Sequence, residues 1–300
     1  VAEIEGGAKY ESLQAAIDAA QDGQTGIVLK DITLGYEDAN DYFDPEKQYK
    51  SFFNISGKAV TVNLNEKTVK AVLEGEETVM AFFSTENGGD LTIKGGNLEI
   101  DTEKAVYSLL VCYTGGKLTV ENGNYKLNLA ADDLVYTQED NNVVINDGTF
   151  YLGNVGTGQN GQPWMFNVLG SNNGNVVVKG GTFNADINHQ FWANEVYVPE
   201  TLALKDNGNG TWTIEESVAY VVERAISTGA YDRNVGYATL AEAVNPLGNS
   251  VDNTVTVIMS HELTETVIVN KDVNIDFAAG VELTTKAYPT AFRIIEGADV

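Results

Sequence analysis

Apolar and polar positions alternate in short runs along most of the chain, and the runs repeat. LTIKGGNLEI at 91–100 aligns without gaps on LTVENGNYKL at 118–127, VVINDGTFYL at 143–152 and VVVKGGTFNA at 176–185. Each copy reads as two period-two strands joined by a tight corner whose second residue is Gly. Glycine is needed there if the backbone takes φ > 0 or if the next repeat passes too close for a Cβ. The copies start at 91, 118, 143 and 176, hence 27, 25 and 33 residues apart. Those intervals leave room for a third apolar run, found at 79–83, 109–113, 134–136 and 165–169. Three strands in each repeat predict a parallel β-solenoid, its coils stacked about 4.8 Å apart.

Alternation then assigns an interior. Leu91 and Ile93, Leu118 and Val120, Val143 and Ile145, and Val176 and Val178 are predicted to stack inward before the corner. Leu98 and Ile100, Tyr125 and Leu127, Phe150 and Leu152, and Phe183 and Ala185 continue the inward set after it. Asn97, Asn124, Thr149 and Thr182 share one corner position, where stacked side chains can bond one another. Runs at 60–64 and 68–73 fit the same plan.

The flanks read differently. Leu13, Ala16, Ile17 and Ala20 lie at helical spacing before Gly23, which predicts a short capping helix over about 10–21. Alternating runs on either side of DNGNG predict a closing hairpin at 201–214. GYATLAEAV at 236–244 then realigns on KYESLQAAI at 9–17, and strand-like runs follow at 255–258, 267–269 and 273–277. The expected organisation is an all-β module at 1–216, with coils over about 27–195, and the start of a second, similar module at 217–300.

Charge narrows the partners. Forty-three acids against 18 bases give a net charge of −25, a field that repels nucleic acid and anionic lipid. Residues 1–223 contain no Arg, so no bidentate clamp for phosphate exists there. No run approaches 18 apolar residues, so no membrane span is expected. The chain opens at Val1 without an initiator Met or a signal-like segment, and is expected to be a piece of a longer parent. The single Cys112 sits in an apolar run and reads as a buried, inert thiol.

Residues 1–34, with Tyr10, Leu13, Ala16, Ile17, Gly23 and IVLKDITL at 27–34, resemble the opening of repeat modules in large surface proteins of gut bacteria and some of their phages. GGTFNAD at 180–186 and KDNGNGTWTI at 205–214 are similar to the close of such modules. The resemblance implies the right-handed parallel β-helix, pectin-lyase-like fold, in an extracellular setting on a bacterial cell or a virion. Its motifs are structural, and no catalytic motif transfers.

Candidate chemistry is sparse. His189 and His261 lie outside any Gly-His-Gly context and have no second ligand at metal spacing. The acidic segment 35–46 reads as a loop interrupting the first coil. Asp38, Asp41 and Asp44 there are the candidate ligands for a calcium ion, although the spacing matches no EF-hand. Asp132, Asp133, Glu139 and Asp140 read as solubilising charges beside the 134–136 strand. Tyr36, Tyr42, Phe43, Trp164 and Trp192 are the candidate aromatics for stacking on sugars, whereas Trp212 reads as part of the closing hairpin.

The expected function is a non-catalytic structural and adhesive module, a rigid spacer that binds a host or microbial surface glycan or protein, with no cofactor beyond calcium. A polysaccharide lyase or hydrolase of the tailspike type is the alternative, and a structural virion or filament component, as a homo-oligomer, is the third reading.

Overall fold

The computed structural model describes residues 1–44, 49–75, 78–138, 142–158, 162–168, 175–188, 196–224, 232–247, 253–285, 290–295, 298 and 300. The chain is mostly β-strand and forms two compact units: 1–197 with 208–212, and 198–207 with 213–300.

Unit 1 is built from three sheets whose strands are largely parallel. The first runs Lys9–Tyr10, Ala2–Ile4, Gln24–Val28, Ala59–Asn63, Asp90–Lys94, Lys117–Val120, Asn142–Ile145, Asn175–Val178 and Val196–Tyr197, parallel from Gln24–Val28 onward. The second orders Ile32–Leu34, Thr68–Leu73, Asn97–Thr102, Asn124–Leu127, Thr149–Leu152 and Thr182–Phe183, all parallel. The third orders Asn40–Asp44, Tyr49–Ser56, Ala81–Glu86, Leu110–Cys112, Asp133–Thr137 and Trp164–Val168. Along the chain, successive strands from Ala59–Asn63 to Trp164–Val168 visit the first, second and third sheets in turn.

The register matches the aligned repeats residue for residue. Leu91 pairs with Leu118, Leu118 with Val143, and Val143 with Val176. Asn97, Asn124, Thr149 and Thr182 are likewise consecutive partners. A one-residue slip would turn every inward side chain to solvent, so the apolar alternation itself holds this register. The inward set is buried, and Tyr125, Phe150 and Phe183 stack with centroids 5.0 and 5.1 Å apart. At the corner, Asn124 Nδ2 donates to Asn97 Oδ1 at 2.7 Å, and Asn97 Nδ2 donates to Thr68 Oγ1 at 3.0 Å.

Both reasons for the corner glycines hold. Gly123, Gly148 and Gly181 have φ of +125°, +137° and +119°. A Cβ on each would sit 3.0 to 3.1 Å from the carbonyl oxygen of Gly96, Gly123 and Gly148, respectively.

The third sheet departs from strict alternation. Consecutive Phe82 and Phe83 lie 5.9 Å apart and both pack against Phe53, at 5.7 and 4.9 Å. Both N–H groups of that pair donate to Leu109 O, as at a bulge. Phe82 and Phe83, two consecutive residues, therefore both pack in the core. Cys112 is buried in this sheet, and burial pushes its thiol pKa up to about 11.

The helix forms at Leu13–Ala19, with Ser12 Oγ accepting from the Ala15 N–H at 3.0 Å and Leu13, Ala16 and Ile17 buried. Lys58 Nζ donates to the carbonyls of Ile17, Asp18 and Ala20 at 2.7, 2.8 and 2.9 Å, satisfying groups that a helix end leaves open.

Unit 2 contains the hairpin strands Leu202–Asp206 and Trp212–Glu216, apart from the Trp212 end, and a sheet of Asp232–Tyr237, Ala219–Arg224, Thr254–Val257 and Asn274–Phe277. Two small parallel sheets pair His261–Leu263 with Leu283–Thr285 and Val267–Val269 with Phe292–Ile294. Its helix, Leu240–Val244, begins with a capping box between Thr239 and Glu242. Val218, Ala219, Leu240, Val244, Val255 and Val267 are among its core residues.

Candidate functional site

The acidic segment is not the loop expected from its charge. Tyr36–Asp38 forms a 3-10 turn, closed by the Gly35 N–H donating to Asp38 Oδ2 at 2.9 Å. Asn40–Asp44 then runs antiparallel to Tyr49–Ser56 at the edge of the third sheet, so the segment is an arm of that sheet. Tyr and Phe at its centre favour an extended backbone over a turn. Of the three proposed calcium ligands only Asp38 has a described side chain, and it is exposed and committed to the Gly35 N–H. The side chains of Asp41, Tyr42, Phe43 and Asp44, and the whole of Trp192 and His189, lie outside the described residues. Among the described residues, no three His, Cys, Asp or Glu side chains converge as metal ligands.

Tyr36 is half-buried, and Lys50 Nζ lies 4.9 Å from its ring centroid. One face is thus engaged by a cation. Nearby, a pocket of about 500 Å³ is lined by Ser12, Gln14, Asp18, Asp38, Asn40 and Phe52, among others. Gln14 is already bonded to both the Asn54 N–H and Asp18 Oδ1, at 3.1 and 2.7 Å.

Trp164 corrects an expectation. It was to stand on a loop as a sugar platform, yet it begins strand Trp164–Val168 and is 3 % exposed, so neither ring face is open to a glycan. Its register partner is Asp133, the second correction, since this carboxyl is fully buried and solubilises nothing. Ser108 Oγ donates to its Oδ1 at 2.5 Å, and Asn167 Nδ2 donates to its Oδ2 at 3.0 Å. Desolvation outweighs both donors and raises the Asp133 pKa to about 8. Asp132 next to it is half-buried, and burial raises its pKa as well. A carboxyl shut from solvent and held by a hydroxyl and an amide is a structural acid, with no route to a substrate. His261 lies in strand His261–Leu263, half-buried, its Nδ1 3.4 Å from Met259 O.

An open aromatic surface occurs instead on the outer face of the second sheet. Tyr151, flanked in its strand by inward Phe150 and Leu152, is 44 % exposed. Lys126 is its parallel register partner, and the Lys126 ammonium lies 6.0 Å from the ring centroid. Two residues back on the same face are Asn124 and Thr149, partners of each other and both exposed. The amide chain from Asn124 through Asn97 to Thr68 fixes the Asn124 side chain and leaves its Oδ1 directed away from that chain. A ring, a cation, an amide oxygen and a hydroxyl thus share one outward face, the group set that stacks on a sugar ring and bonds its hydroxyls. Tyr151 was not among the expected site residues. The signal was present, because alternation turns position 151 outward and an aromatic there lacks a packing role.

No family model, no curated protein and no solved structure matches the chain.

Proposed function

We propose that this chain is a non-catalytic structural and adhesive module whose first unit is a right-handed parallel β-helix with three strands in each coil. It acts as a stiff extracellular spacer, on a bacterial surface or a virion, and presents the Tyr151 face to a surface glycan. The observation that carries this reading is the continuous register across the first and second sheets, with Leu91, Leu118, Val143 and Val176 stacked as one row and Tyr125, Phe150 and Phe183 as another. Such rows make each coil the template of the next, and bending the stack means breaking strand pairs. Stiffness and an outward face that is polar but carries a half-exposed aromatic suit adhesion at a distance better than turnover.

The test is binding of the full chain to a glycan array and to cells, with Tyr151→Ala and Lys126→Ala as variants. Loss of the stacking contact is expected to lower apparent affinity about tenfold, equivalent to ~1.4 kcal/mol. Unchanged binding by both variants would remove the adhesive half of the reading. Incubation with polyuronides, followed for new reducing ends, checks the catalytic alternative, and steady product release would overturn the non-catalytic reading.

A further inference from the structure

The two units begin with the same strand pair. In unit 1 Ala2 partners Tyr10 on one side and Val28 on the other, and in unit 2 Ala219 partners Tyr237 and Val257. The Val1 amine donates to Tyr10 O at 2.7 Å, and the Val218 N–H donates to Tyr237 O at 2.8 Å. Helices capped by Ser12 and Thr239 follow each pair. Lys9–Tyr10 and the end of Asp232–Tyr237 are therefore the same element, with Lys9 standing where Gly236 stands.

Their outer edges differ. In unit 2 the hairpin strand Leu202–Asp206 lies beside Asp232–Tyr237, parallel to it, with Ala203 opposite Gly236. Among the described residues, Lys9–Tyr10 is the outermost strand of its sheet in unit 1. The approach in unit 2 is unusually close. A Cβ on Gly236 would lie 2.0 Å from Leu202 O and 2.8 Å from Ser217 Oγ. Gly236 is absent from the positive-φ glycines, so space and not backbone conformation requires it. Lys9 carries a Cβ at the equivalent place, on an exposed residue at an exposed edge. Lysine on an edge strand is a recognised guard against strand addition.

We propose that the outer edge of this opening strand is a docking site for a closing hairpin of the Leu202–Glu216 kind, and that the residue at position 9 or 236 gates it. Gly236 admits the hairpin strand, which joins that hairpin to unit 2 by main-chain pairing. Lys9 closes the matching edge of unit 1, through its Cβ before its charge, so that hairpins of other modules or copies do not add there. This inference does not depend on the glycan reading.

Two experiments on the full chain test it. A fluorescent peptide of residues 199–217 is titrated against wild type, Lys9→Ala and Lys9→Gly, with anisotropy as the readout. Lys9→Gly is expected to bind at least about tenfold more tightly than the other two, which behave alike. Equal binding by Lys9→Ala and Lys9→Gly would overturn the steric gate, and so would no binding by Lys9→Gly. Separately, Gly236→Ala is expected to speed hydrogen exchange across 202–206 by about tenfold or more while 91–100 stays protected. Unchanged exchange at 202–206 would show that the hairpin does not depend on the space at Gly236, and the proposal would fall. Lys9 is exposed, so the peptide experiment stands even where Gly236→Ala folds poorly.

Discussion

Asp133 is a carboxyl whose proton the fold retains. Its pKa, about 8 in the folded chain, lies far above the usual carboxylate value, because burial costs more than the Ser108 and Asn167 hydrogen bonds return. Between about pH 4 and pH 8 the folded state keeps a proton that the unfolded state releases, so stability falls as pH rises through that window. Below it both states are protonated, above it both are ionised, and the contribution no longer changes. Four pH units at 1.36 kcal/mol each make the loss on the order of 5 kcal/mol. Thermal midpoints measured from pH 4 to 9 are expected to decline toward alkaline pH. Asp133→Asn, which keeps the shape without a titrating proton, is expected to flatten most of that decline, and an equal slope in the variant would contradict the assignment. Nothing in the run around Asp133 marks it as buried, because charge in a sequence predicts exposure and its hydrogen-bonding neighbours Ser108 and Asn167 lie 25 and 34 residues away along the chain.

The rows of stacked side chains are the unit of stability at the level of elements. Phe150 sits between Tyr125 and Phe183, with Phe166 of the third sheet 6.4 Å away. Phe150→Ala removes the middle of that stack and leaves a void that main-chain pairing with both neighbouring strands keeps from closing. The expected cost is ~3–5 kcal/mol, read as a lower denaturant midpoint with the slope retained. Little change would mean that the rows are not the main support. Most of this was legible beforehand: the four ten-residue copies, their inward positions and the corner ladder all follow from period two and from glycine spacing. The arm Asn40–Asp44 was not, since its acidic composition masks a strand that forms only against Tyr49–Ser56. The third sheet was legible as apolar runs, but not its paired inward residues, because two adjacent apolar residues break the alternation that identifies a face.

At the scale of the whole molecule, 25 excess negative charges oppose compaction and association. Exposed pairs such as Lys70 with Asp101, 3.1 Å apart, offset little of this. Raising salt from about 10 to about 150 mM shortens the screening length from ~30 to ~8 Å. The thermal midpoint is therefore expected to rise over that range at fixed pH, and a fall would mean that attractive pairs outweigh the net repulsion.

What the sequence by itself determined is the repeat: which residues face inward and where the corners fall. Those features are local or periodic, and a period is readable without coordinates. Only the tertiary structure decided which side chains are open. Trp164, a loop aromatic by sequence, is buried beside Asp133, while Tyr151 stands on the surface and Gly236, aligned on Lys9 in the sequence, proves to lie against the Leu202 carbonyl. Exposure depends on which distant segments cover a face, and that is set by packing between repeats, not by pattern within one.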